Sequence, residues 1–289
     1  ISGIGGPTPA PDFTLSSRFE RPATLRADTN FYAESTLARE EADDFREDSL
    51  RLGAGLTRRF SDTLTASAGV ELSRRTVRDA LGRRNFNIFA LPLEATQDRR
   101  DDPLDARGGH YANATALPFT ASGDGENGLR LTGDWRIYRP LGGERGTVLA
   151  GRAQLGSLIG ARAETVPPGL LFFSGGSGTV RGHPFESLGV ETAGGDSTGS
   201  GSTGGRSFLG LSGEARVPVW GAISAVAFLD AGHVGRSATP GQQGSWQAGA
   251  GLGLRYGTGL GPLRLDLAAP IEGDTGAGVQ LYIGIGQAF

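Results

Sequence analysis

Few residues in this sequence are equipped for covalent chemistry. Cysteine is absent, which removes thiolate nucleophiles, thiolate metal sites and disulfides. The three histidines, His110, His183 and His233, show no ligand spacing with one another, so no metal centre is predicted. Two short strings imitate known sites. Gly195-Asp196-Ser197-Thr198-Gly199 matches a nucleophile elbow, and Gly199 to Gly204 matches the dinucleotide-binding glycine pattern. Both lie in a Gly/Ser-rich run without the strand and helix that give such strings their chemistry. The charged run from Asp98 to Asp105 reads as a solvated turn rather than a paired-carboxylate site. No catalytic residue and no cofactor are therefore predicted, and the chain is not read as an enzyme. What remains is electrostatics. Glu214 lies on the polar face of an alternating segment, with Ser212 and Arg216, opposite Leu209, Leu211, Ala215 and Val217. In the next segment Ile223, Ala225, Ala227 and Leu229 share the apolar face, which puts Phe228 and Asp230 on the other. Two carboxylates thus face the same way from neighbouring strands and need cationic partners; Arg216 or Arg255 on matching faces would suffice.

The elements that position these groups are strands. Leu64 to Leu72 places an apolar residue at every even position and a small or polar one at every odd position. The same period recurs from Leu129 to Ile137, from Trp246 to Tyr256 and from Leu263 to Leu267. Glycine, with 49 copies, is too abundant for a helical protein. A hydrophobic fraction of 37% is low for a water-soluble core in 289 residues. No apolar run is long enough for a transmembrane helix, but alternating barrel strands escape that criterion. The alternating segments run about nine to thirteen residues, near the length that crosses a bilayer at a tilt. Their opposite faces carry Arg, Asp, Glu and Gly, which suits a polar lumen better than a β-sandwich core. About thirteen such segments are readable, separated by turns such as Ser61-Asp62, Gly142-Gly143 and Gly261-Pro262. The predicted fold is an all-β, antiparallel transmembrane β-barrel spanning 1–289. The net charge of −3 supplies no field for nucleic acid, and all the cationic side chains are arginine.

One connection differs from the rest. Residues 161–206 lack clear periodicity and include Pro167-Pro168 and a low-complexity stretch from Gly194 to Gly205. A loop this long is functional or disordered. Within it, Gly175-Gly176-Ser177-Gly178-Thr179-Val180-Arg181-Gly182-His183, followed by Gly205-Arg206-Ser207, resembles the sixth extracellular loop of the BamA/TamA outer-membrane assembly superfamily. There a Val-Arg-Gly-aromatic motif folds back into the lumen; His183 stands at the aromatic position. Phe228-Leu229-Asp230-Ala231-Gly232 resembles the family's Phe-x-Asp-x-Gly strand. Leu91-Pro92-Leu93 through Asp105, Gly261 to Leu267 and the terminal Phe289 also fit, with details nearest TamA. The resemblance implies that Arg181, flanked by Val180, Gly182 and His183, contacts Glu214 and Asp230. It further implies that Phe228, Asp230 and Gly232 form the strand motif.

The last segment, Val279 to Phe289, alternates and ends in an aromatic. Leu281, Ile283, Ile285 and Phe289 are expected to form a C-terminal signal for barrel assembly, and a terminal ring also suits the membrane interface. By resemblance the chain resides in the bacterial outer membrane. It would aid insertion or secretion of client outer-membrane proteins such as autotransporters, with a TamB-like periplasm-spanning protein as a further partner. The physical basis would be backbone pairing at an openable seam between edge strands. A passive pore and a two-partner secretion transporter remain alternatives. The family places periplasmic POTRA domains before a barrel of about sixteen strands. Neither those domains nor all of those strands are readable here. Phe13 to Glu20 would be about the fourth strand, Ile1 to Asp12 makes a poor strand, and a chain starting at Ile1 reads as processed or trimmed.

Overall fold

A computed structural model describes residues 12–41, 45–79, 81–143, 146–191, 202–273 and 278–289. The strands are β1 (Phe13–Arg21), β2 (Thr29–Glu41), β3 (Phe45–Arg59), β4 (Leu64–Asp79), β5 (Gly82–Ala90), β6 (Leu93–Asp98), β7 (Gly109–Gly123) and β8 (Gly128–Leu141). They continue as β9 (Thr147–Ile159), β10 (Val190–Glu191), β11 (Ser202–Thr203), β12 (Ser207–Trp220), β13 (Ile223–Gly235), β14 (Gly244–Tyr256), β15 (Leu263–Glu272) and β16 (Gln280–Ile285). All but β10 and β11 form one antiparallel sheet of 14 strands in sequence order. β5 and β6 share one position between β4 and β7, interrupted at Leu91-Pro92, because proline cannot donate to the ladder. The wall therefore has thirteen positions, as the alternation predicts.

Register follows the alternation. On β4 the even positions Val70 and Leu72 point outward and are exposed, while Ser73, Arg75 and Val77 point inward and are buried. On β15 and β16, Leu265 and Leu267 lie directly opposite Ile283 and Leu281, all outward and exposed. A soluble protein would not leave such a band bare; hydrocarbon is the solvent that accommodates it. Among the described residues β1 pairs with β2 alone and β16 with β15 alone, and no hydrogen bonds join the two edges.

One end of the wall carries the long loop after β9; the other carries the C-terminus and the turn at 99–108. The expectation of a polar lumen holds only in part. At the loop end Val77, Phe86, Ile88 and Phe119 project inward and pack on Leu170, Leu171, Phe172 and Leu188 of the loop. The loop brings its own apolar surface into the interior, and each large side chain buried this way contributes roughly 1.5–3 kcal/mol. Arg130 rests 4.5 Å from the Phe172 ring and donates to the Leu170 carbonyl at 3.1 Å. The nucleophile-elbow string at 195–199 and residues 1–11 lie outside the described residues, as does the first half of the glycine pattern at 199–204.

Candidate functional site

The loop motif meets the wall at β12 to β16. Inward positions two apart on β13 present Phe228 and Asp230 to Arg181 and Gly232 to Ser174 and Val180 of the loop. The Phe228 ring lies 3.5 Å from the Arg181 guanidinium carbon, a cation–π contact. Asp230 receives Arg181 Nε at 2.7 Å and Nη2 at 3.0 Å, a two-pronged pairing, and its carboxylate also accepts the Arg181 backbone N–H at 3.2 Å. Gly232 leaves room: a Cβ there would lie 2.5 Å from Ser174 Oγ and 2.7 Å from Val180 Cγ2.

Arg181 Nη1 donates to Glu214 Oε1 at 2.7 Å and to Asp266 Oδ2 at 3.2 Å. The three carboxylates come from β12, β13 and β15. Arg255, on the intervening β14, donates to Asp266 and lies 3.8 Å from Glu214. Arg216 bonds Glu214 Oε2 at 2.9 Å, and Arg264 lies 3.8 Å from Asp266. Both ways of matching the carboxylates therefore coexist, the loop arginine and the wall arginines. Arg181 is 2% exposed, a depth at which an ion is tolerated only when its hydrogen-bonding groups find partners. Burial by itself opposes its charge, but the carboxylates of Asp230 and Glu214 outweigh that and raise its pKa above the usual value.

Backbone contacts extend the grip. A Cβ on Gly249 would fall 1.8 Å from the Arg181 carbonyl oxygen, so only glycine lets the loop lie this close to β14. Gly182, at φ +97°, turns the chain over Ala269. Its N–H donates to Tyr282 Oη at 3.0 Å, and that hydroxyl donates to the His183 carbonyl at 3.3 Å. His183 is fully buried, with Nε2 3.0 Å from the Ala248 carbonyl. Where the family motif has an aromatic ring, an imidazole here takes a hydrogen bond to the wall.

The C-terminus departs from the simple strand expectation. Leu281, Ile283 and Ile285 are outward and exposed, but β16 ends at Ile285. Phe289 folds inward, 8% exposed, against Ala106, Tyr138 and Ala150 instead of anchoring at the interface. Its carbonyl receives Arg216 Nη2 at 3.3 Å. Gln287 bridges Arg255 Nε at 3.0 Å and Asp105 Oδ1 at 2.7 Å. The 99–108 turn is thus not wholly solvated, since Asp105 and Ala106 tuck under the wall to meet the C-terminal tail.

Sequence reasoning missed Asp266 and Tyr282. Each sits on the polar side of a legible alternation, so the parity was available; the order in which strands surround the loop was not. Gly249 had no signal beyond the glycine content of β14.

A sheet of this length, apolar outside and folded around one of its own loops, defines a membrane β-barrel with an occupied lumen. The chain belongs to the Omp85 superfamily: the model for the "Omp85 superfamily domain" matches residues 10–289. Barrels of this superfamily are outer-membrane transport and assembly proteins and not enzymes. The chain is 28% identical over 234 residues to "Outer envelope protein 80, chloroplastic" of Arabidopsis thaliana, covering 75% of this chain and 30% of that protein. Its fold matches BamA from Haemophilus ducreyi lacking POTRA domains 1–3, with TM-score 0.79 and 15% identity over 94% of this chain and 61% of that one. It also matches CdiB from Acinetobacter baumannii, with TM-score 0.57 and 15% identity over 91% of this chain and 47% of that one. The chain therefore spans under a third of the first relative and about three fifths of the BamA chain.

Proposed function

We propose that this barrel inserts or secretes client outer-membrane proteins, with the loop end extracellular and the C-terminal end periplasmic. The observation that carries the reading is the Arg181 clamp. It braces the inner faces of β12, β13 and β15, and Tyr282 ties the loop to β16, which among the described residues is paired on one side. A free edge can template an incoming strand by backbone pairing, without covalent chemistry. Bracing the wall behind that edge keeps it in register while a client pairs. On this reading Leu281, Ile283, Ile285 and Phe289 also form the chain's own assembly signal, and a TamB-like periplasm-spanning protein delivers clients.

The test is Arg181→Ala in the full-length protein, scored for heat-modifiable folding and for insertion of a test barrel into vesicles. A folded barrel with reduced insertion supports the reading; unchanged folding and unchanged insertion sink it. Two-partner secretion is the second reading, favoured by a polar interior recess of about 450 Å³ lined by Glu71, Glu94 and Arg130 among others. A crosslinker at Ile283 captures clients if they pair at the edge, whereas one at Glu94 captures them if they thread the interior.

A further inference from the structure

The outward face near the loop end carries an arrangement that neither the fold nor the clamp requires. Arg46 on β3 lies directly opposite Arg78 on β4, and Arg78 lies directly opposite Arg83 on β5. Three like-charged residues thus stand side by side on adjacent strands whose backbones are about 4.8 Å apart. Like charges placed directly opposite are destabilising. Two outward positions nearer the middle of the wall, past Thr76, Arg74 lies between Leu50 and Asn87. Arg74, Arg78 and Arg83 are exposed and have no carboxylate within 4.0 Å among the described residues. Arg46 reaches only Asp48, at 3.6 Å, and Asp48 is already held by Arg39 at 2.6 Å. Glu41, opposite Arg46, is the other outward carboxylate of this patch. Among the described residues, five arginines (Arg39, Arg46, Arg74, Arg78 and Arg83) thus face outward against two carboxylates on a chain whose net charge is −3.

Directly beneath Arg74 the surface changes character. A recess of about 430 Å³ opens on the outer face, floored by Leu50, Leu52, Leu72 and Phe89. Its upper lip is Arg74, Asn87 and Ser122. An apolar slot facing hydrocarbon, topped by cations and amide donors at the level where the apolar band ends, has the chemistry of a lipid with a phosphate-bearing head. We propose that this site binds a phosphorylated lipid of the leaflet at the loop end. An acyl chain lies on Leu52, Leu72 and Phe89; the phosphate takes Arg74 and Asn87 and bridges toward Arg78 and Arg83. The ligand removes the cost of the arginine row, because guanidinium and phosphate pair through two parallel hydrogen bonds.

The experiment is native mass spectrometry and thermal unfolding of the detergent-solubilised full chain with lipid A, a doubly phosphorylated glycolipid. Parallel arms use dephosphorylated lipid A and inorganic phosphate. Lipid A is expected to bind and raise the unfolding temperature. Arg74→Gln is expected to weaken binding about tenfold, the scale of one charge-assisted contact. Arg78→Gln is expected to stabilise the lipid-free protein while reducing the gain on lipid addition, which a merely structural arginine would not do. Arg39→Gln, whose charge is already matched by Asp48, serves as the comparison and is expected to bind within about twofold of the parent. Equal retention of dephosphorylated lipid A overturns the role of the phosphate. Displacement by inorganic phosphate at equal concentration overturns the lipid in favour of a free anion. Unchanged binding in both Arg74→Gln and Arg78→Gln overturns the site.

Discussion

At the scale of single residues, the interior is organised by one guanidinium with three acceptors. Lysine at position 181 would keep the charge but replace a planar fork by a point donor, so it cannot serve Asp230 in two prongs and reach Glu214 as well. Arg181→Ala leaves three carboxylates to the wall arginines alone, and breaking a buried pair of this kind costs about 3–5 kcal/mol. Arg181→Lys is expected to fall between alanine and the parent. The temperature at which the barrel loses its compact gel mobility orders the three proteins, and equal temperatures for alanine and parent would show that the clamp contributes no stability. A second contact, at the root of the loop, responds to pH. Hydrogen bonds from Arg162 and then Thr165 lower the Glu126 pKa from 4.5 to about 2. A carboxylate depressed in the folded state contributes fully above its ordinary value and loses its contribution as pH falls through the folded value. The protection of amides 162–165 from exchange, taken relative to the intrinsic rate at each pH, should therefore fall between about pH 4.5 and 2, and Glu126→Gln should flatten that profile. Both groups are exposed, so salt should weaken the effect as acid does.

Elements show where sequence legibility stops. The alternation on β12, β13, β14 and β15 gives both existence and facing, because one face meets lipid and the other a charged interior. Over the first part of β5 the period is clear but its sense is reversed, with Phe86 and Ile88 facing inward and Asn85 and Asn87 outward; Phe89, facing lipid, then breaks it. Period alone reports two faces without saying which one is the lumen. The loop decides that, since its own apolar residues need a partner, and the loop carries no periodicity to read. Arg181, Glu214 and Asp230 were legible through the resemblance, and Asp266 through parity alone. The Tyr282 bridge depends on how β16 closes against the loop, which no local pattern encodes. Tyr282→Phe removes the acceptor for the Gly182 N–H and the donor to the His183 carbonyl. Leaving a buried N–H without a partner costs about 1–3 kcal/mol. The expected outcome is faster exchange of the Gly182 amide with β15–β16 pairing unchanged. If β16 amides accelerate equally, the hydroxyl holds the strand rather than the loop.

On the scale of the whole molecule the interior is occupied from both ends, and the two occupants share arginines. At one end stands the loop, held by Arg181. At the other stands the tail, where Gln287 joins Asp105 and Phe289 packs on Ala106 and Tyr138. Arg216 touches both, through Glu214 and the Phe289 carbonyl; Arg255 does the same through Asp266 and Gln287. Two occupants of one path act as resistances in series, so displacing one leaves the other limiting. Arg181→Ala alone, or Gln287→Ala with Phe289→Ala, should each raise ion conductance in planar bilayers only slightly. Combining them should raise it well beyond the product of the separate effects, because only then is a continuous aqueous path open. A passive pore predicts otherwise: its conductance is already high, and either change alone alters it as much as both together. If the combined variant conducts no better than the single ones, the loop and the tail do not block the same path. The shared arginines would then connect two parts of the wall that act independently.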